Sequence, residues 1–115
     1  MIVVNAKMQT NKENFKIIKK AVKKLEIKTK QENGCIDYGF SVELHNKSVI
    51  RITELWKDLK SLKDHLRTKH IEIFLKEIAA GEPPKTDAHF FEANSIPYPD
   101  GDLPKEVQGL SLIHI

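Results

Sequence analysis

Residues 34–78 read GCIDYGFSVELHNKSVIRITELWKDLKSLKDHLRTKHIEIFLKEI, and the reading of this stretch decides the fold. From Cys35 to Glu43 the side chains alternate, with Ile36, Tyr38, Phe40 and Val42 on one face and Cys35, Asp37, Gly39 and Ser41 on the other. Alternation returns from Ser48 to Trp56, with β-branched Val49, Ile50, Ile52 and Thr53. Period-2 patterning on both sides of His45-Asn46-Lys47 predicts a β-hairpin with its turn at those residues. Trp56-Lys57-Asp58 stops the second strand, and Asp58 is suited to cap a helix by accepting from a backbone N–H in the next turn. Leu59, Leu62 and Leu66, with His65 beside them, give a first helical stripe directed inward. Thr68-Lys69 marks a break, after which Ile71, Phe74, Leu75 and Ile78 form a second stripe.

Outward from this stretch, Ile2 to Met8 reads as a first strand. Ile2, Val4, Ala6 and Met8 share one face, and Val3, Asn5, Lys7 and Gln9 share a mostly polar one. A sheet with helices on one side and a polar-lined cavity on the other accounts for that division. Thr10 or Asn11 caps a first helix whose core stripe is Phe15, Ile18, Val22 and Leu25, with Ala21 beside it. Gln31-Glu32-Asn33-Gly34 closes the connection with a residue pair suited to positive φ. Ala80-Gly81-Glu82-Pro83-Pro84 is a helix stop and linker, and Asp87 to Ala93 reads as the fourth strand. The order is βαββαβ with helices on one face of an antiparallel sheet, an α+β, ferredoxin-like unit. Such a sheet has one open face, and covering it with a second copy buries apolar area that a monomer leaves exposed.

The totals fit a single domain. The chain has 115 residues, 40% hydrophobic and 30% charged, with a net charge of +3. No apolar run approaches the about 18 residues that span a bilayer, so no membrane partner is expected. MIVVNAKM has neither a basic n-region nor a long apolar segment, so no secretory leader is visible. The single cysteine excludes an internal disulfide and fits a reducing cytoplasm. Asn46-Lys47-Ser48 matches a glycosylation acceptor by pattern and, without a leader, reads as chance. Eight lysines fall between Lys12 and Lys30, but that segment has no Arg and one aromatic, Phe15. They read as a solvated helix face, and no nucleic-acid partner is expected.

Residues 1–93 are taken as the folded domain and 94–109, with Pro97, Pro99 and Pro104 and no periodicity, as an extended tail. Leu110-Ser111-Leu112-Ile113-His114-Ile115 is what CTG TCT CTT ATA CAC ATC encodes. That resembles the mosaic end of a transposase-based sequencing adapter, so residues 110–115 are set aside as an artefact and His114 is no site candidate.

The ordered run of Glu32, Gly34, Cys35, Tyr38 and Phe40, then Glu54, Trp56 and Asp58, then Leu62, His65, Leu66, His70 and Phe74 resembles the antibiotic biosynthesis monooxygenase domain. The resemblance covers roughly residues 1–92 and includes cofactor-independent quinol monooxygenases. It implies a homodimer in which two ferredoxin-like units form a dimeric α/β barrel. It also implies that a quinol or phenolic substrate is deprotonated and its anion reduces dioxygen directly, with no metal, flavin or haem. In haem-degrading relatives an Asn of the first strand lies in the active cavity, a Trp stands at the position of His65, and a haem-ligating His stands at that of Leu75. The last two departures argue against haem degradation here.

Candidate catalytic residues are His65 and Asn5. Imidazole has an unperturbed pKa near ~6.5, suited to proton transfer near neutrality. The structural alternative for His65 is a ring that caps the edge of the core. Asn5 is the candidate donor to a developing oxyanion. Trp56, Glu54, His70 and Phe74 are the candidate substrate contacts, Trp56 as an aromatic wall and Glu54 as an orienting group. Trp56 is equally a packing anchor, His70 a helix cap and His89 a plain strand residue. A spacing of five sets His65 and His70 about 140° apart on an ideal helix, unlike the i, i+4 pair of a zinc motif, so no metal is expected. Cys35 reads as core rather than nucleophile. Two other functions fit the same fold: an isomerase or processing enzyme for a small oxygenated signalling metabolite, and a non-catalytic dimeric binding module.

Overall fold

In the computed structural model, residues 1–110 are described. Four strands, β1 (Ile2–Gln9), β2 (Cys35–Glu43), β3 (Asn46–Trp56) and β4 (Lys85–Glu92), form one antiparallel sheet in the order β2-β3-β1-β4. The helices α1 (Lys12–Thr29), α2 (Leu59–Leu66) and α3 (Lys69–Ile78) cover one face. This is the expected βαββαβ arrangement, with its second helical position divided in two. Residues 111–115, most of the presumed adapter segment, lie outside the described residues.

Pairing register sets which side chains meet the helices. Ile2 lies opposite Trp56, Val4 opposite Glu54, Ala6 opposite Ile52 and Met8 opposite Ile50, all on the helix-covered face. Tyr38 joins that face beside Glu54, and Phe40 beside Ile52. Ile18, Ala21 and Leu25 of α1 and Ile71, Phe74 and Ile78 of α3 close the core over them. The open face carries Asn5, Thr53 and His89 in one row and Lys7, Arg51 and Asp87 in the next. Every residue of β4 is exposed, including Phe90 and Phe91.

Caps and turns fix the joints. Asn11 caps α1 by accepting from Glu13 N and Asn14 N, while Asn14 Oδ1 accepts from Asn11 N in return. Gly34 adopts φ +103, as the Asn-Gly pair predicted. Asp58 Oδ1 accepts from Ser61 N at 2.8 Å and so starts α2. Thr68, in the expected break, caps α3 by accepting from Ile71 N.

Several expectations shift. A bulge between Cys35 and Asp37 breaks the alternation at the start of β2, so Ile36 is exposed and Cys35 packs against the core. The hairpin turns at Leu44-His45, because Glu43 pairs with Asn46. Asn46 instead opens β3, its Oδ1 accepting from the amide and hydroxyl of Ser48. The buried face of α2 is Ser61, Leu62 and His65, with Leu59 and Leu66 half exposed. Ser61 packs closely against Gly34, and it joins Leu62 and His65 on the inward side in place of Leu59 and Leu66. Leu75 likewise faces out, leaving Ile71, Phe74 and Ile78 as the stripe of α3. β4 begins two residues earlier than Asp87, since Lys85 and Thr86 pair with Gln9 and Met8. The tail contains a short 3-10 turn at Asp100–Asp102.

Candidate functional site

The turn between α1 and β2, the end of α2 and the start of α3 meet at one carboxylate. Glu32 is held in the turn by backbone bonds from its own N–H to Thr29 O and from Cys35 N to its carbonyl. Its Oε2 lies 2.6 Å from His65 Nδ1 and 2.7 Å from His70 Nε2. The break at Thr68 makes this convergence available: Thr68 Oγ1 donates to the carbonyl of His65 and also caps α3, so the two histidines lie on separate helices. The angle of an ideal helix therefore does not apply to this pair.

His65 is enclosed, at 1% exposure. Its ring lies 4.6 Å from the Trp56 ring at a tilt of 36°, and 5.3 Å from Tyr38 edge-on. Trp56 donates its indole N–H to Glu54 Oε1 at 2.9 Å. Burial raises the Glu54 carboxyl above its ordinary range, with the Trp56 hydrogen bond and His65 opposing and Glu32 adding to the rise. Burial, with Glu54 and Glu32 adding to it, also raises the Tyr38 phenol far above its usual range. Cys35 is raised by the same causes, so its thiol is held neutral rather than activated.

His70 is partly exposed and lines a cleft of about 350 Å³ between α1 and α3, with Ala21, Leu25, Ile73 and Phe74 as apolar walls. Lys24 and Glu77 pair at 2.7 Å at the edge of this cleft. A larger groove, about 850 Å³, lies between the start of α1 and the hairpin, against Phe15, Val42 and Leu44. It contains none of the acid–base groups just described, so volume and chemistry point to different places. The acid–base groups decide in favour of the smaller cleft.

The sequence-derived candidates thus fall into three places. His70 and Phe74 share the cleft, while His65 and Trp56 stand in the core with Glu54 partly buried beside Trp56. Asn5 is exposed on the opposite face of the sheet, beside Thr53 and His89, and is not brought together with His65. Glu32, which joins both histidines, was not singled out as a site residue from sequence. Only its place among the motif residues pointed to it, because its partners lie 33 and 38 residues away.

The chain as a whole has relatives. The family model described as antibiotic biosynthesis monooxygenase matches residues 1–77. A conserved protein from Methanosarcina mazei Go1 is 31% identical, with 81% of this chain and 92% of that one covered at a TM-score of 0.74. A conserved protein from Bacteroides thetaiotaomicron, described as a possible oxidoreductase, is 26% identical over 80% of this chain and 96% of that one, at a TM-score of 0.73. A structure described as an antibiotic biosynthesis monooxygenase is 24% identical, covers 83% of this chain and 100% of its own, and shares the fold at a TM-score of 0.73. Among curated proteins, none matches the chain.

Proposed function

The chain belongs to the antibiotic biosynthesis monooxygenase family, and from that premise we propose that it oxidises a quinol or phenolic small molecule with dioxygen, using the substrate's own electrons. The observation that carries the reading is the Glu32 carboxylate shared by His65 and His70 beside an apolar cleft. A histidine oriented by a carboxylate is a competent general base when it can reach the proton it removes. His70 is the one of the two at the cleft, so it takes the phenolic proton. Glu32 stabilises the resulting imidazolium, and the enclosed His65, bonded to the same carboxylate oxygen, holds Glu32 in place. Phe74 and Leu25 offer the flat, dry surface that a planar substrate needs.

The chemistry then belongs to the substrate. Loss of the proton gives an electron-rich anion, whose ring carbon forms a bond to one oxygen of dioxygen. The hydroperoxide breaks its O–O bond, and with loss of the carbon-bound hydrogen leaves a carbonyl in the product and one water. All four electrons come from the organic molecule. We also propose that two copies pack through their open sheet faces into a barrel, since β4 leaves Phe91 exposed in a row with Val3 and Leu55. A cytoplasmic setting fits the single cysteine. No described helix is long and apolar enough to cross a membrane.

The test follows oxygen uptake with a panel of reduced quinols in metal-chelated buffer, for the wild type and His70→Ala. Uptake above the autoxidation blank, lowered by about 100-fold in the variant, is expected. No uptake with any quinol, or equal turnover of the substrate under anaerobic conditions, would overturn the reading, the second in favour of an isomerase.

A further inference from the structure

The convergence of Glu32, His65 and His70 has a second chemical meaning. His65 Nδ1, His70 Nε2 and a Glu32 carboxylate oxygen all lie within 4.8 Å of one another. Each comes from a different element, so the set is assembled by tertiary structure and not by chance proximity along one helix. Among the described residues, no other three His, Cys, Asp or Glu side chains gather this way. Two imidazole nitrogens with one carboxylate oxygen suit Zn²⁺ and its first-row neighbours. Mg²⁺ and Ca²⁺ prefer oxygen-only shells and are poorly served by this set.

We propose that Glu32, His65 and His70 form a binding site for a divalent first-row transition metal, with Zn²⁺ as the reference ion. The contacts of 2.6 and 2.7 Å are hydrogen-bond distances, with room for a proton between the atoms. An ion bonded at about 2.0–2.1 Å spreads tetrahedral donors to about 3.3 Å, so the two Glu32 contacts must open by less than an ångström while the histidine nitrogens, within 4.8 Å of each other, settle to the same spacing. The partly exposed Glu32 and His70 side chains make that adjustment against His65, which is fixed between Trp56 and Tyr38. His70, 21% exposed, stands on the cleft side, which leaves that side open for a water or ligand as the fourth donor. The ion occupies the lone pairs that otherwise hold a proton, so bound metal and proton transfer exclude each other at this cluster.

The site stands without the oxygenase reading, and its test needs no substrate. Chelator-treated full-length protein is titrated with Zn²⁺ by calorimetry and with Co²⁺ by visible absorption. One ion per chain is expected, with a ligand-field band for Co²⁺ and a loss of affinity of at least about tenfold in both Glu32→Gln and His70→Ala. Circular dichroism checks that both variants fold, and the buried His65 is left intact because its removal opens a cavity beside Trp56. His89→Ala, which disturbs an exposed pair with Asp87 and a ring contact with Phe91, is expected to bind as the wild type does. Absence of binding at micromolar Zn²⁺, or affinity unchanged in Glu32→Gln and His70→Ala, would overturn the proposal. So would a loss confined to His89→Ala. Failure of oxygen uptake would leave a positive Co²⁺ spectrum standing, and the two results are therefore separable.

Discussion

Glu32 accepts both imidazoles on a single carboxylate oxygen, so its charge and its position act together. Glu32→Gln keeps the shape and removes the charge that stabilises a protonated His70. Oxygen uptake is expected to fall by about 100-fold with the far-ultraviolet circular dichroism unchanged. A variant as active as the wild type would remove Glu32 from the machinery. Asn5 gives the converse expectation. It lies across the sheet from the histidines, so Asn5→Ala should leave uptake within about twofold, and a larger loss would move the chemistry to the open face.

Glu54 carries a pH expectation at the same scale. Its carboxyl is raised by burial. A carboxyl whose folded pKa exceeds its unfolded value binds its proton more tightly in the native state, so it supports folding below the unfolded pKa. That support is lost as pH rises from the unfolded pKa through the folded one. Glu54→Gln stays neutral and can still accept the Trp56 N–H. Its Tm should therefore exceed the wild type's at pH 7 and match it at pH 4. Equal shifts at both pH values would contradict burial as the cause.

At the scale of elements, the joint between the α1–β2 turn and α2 determines where His65 points. Gly34 has φ +103, and a Cβ there would meet Ser61 Cβ at 2.7 Å, with Ser61 Oγ closer still. Gly34→Ala must strain the turn and push α2 away from it, and α2 carries His65. A loss of about 2 kcal/mol in urea unfolding is expected, together with reduced uptake, because the turn also carries Glu32. Loss of stability with full activity would show that the two histidines do not depend on this joint. The sequence showed the Asn-Gly turn and the Asp58 cap, since both are local chemistry. It did not show that Ser61 rather than Leu59 and Leu66 is buried, because the contact of Ser61 with Gly34 is made only in the folded chain.

At the scale of the molecule, β4 is an exposed edge strand with Phe90 and Phe91 uncovered. If the open face is where two copies meet, Phe91→Arg places a charge within that contact. Sedimentation or light scattering should then show a dimer for the wild type and a monomer for the variant. A monomeric wild type would leave the open face without this partner.

The sequence by itself determined the βαββαβ order, the two faces of β1 and the Asp58 cap, because period, turn residues and helix ends are fixed by neighbours a few positions apart. It placed His70 and Phe74 on one helix and His65 on another without showing what joined them. Tertiary structure alone decided that Glu32 lies between the histidines and that Ser61, rather than Leu59 or Leu66, shares the buried face of α2 with Leu62 and His65. Each of these depends on elements separated by tens of residues, where close packing and the partnering of buried polar groups, rather than local preference, select the arrangement.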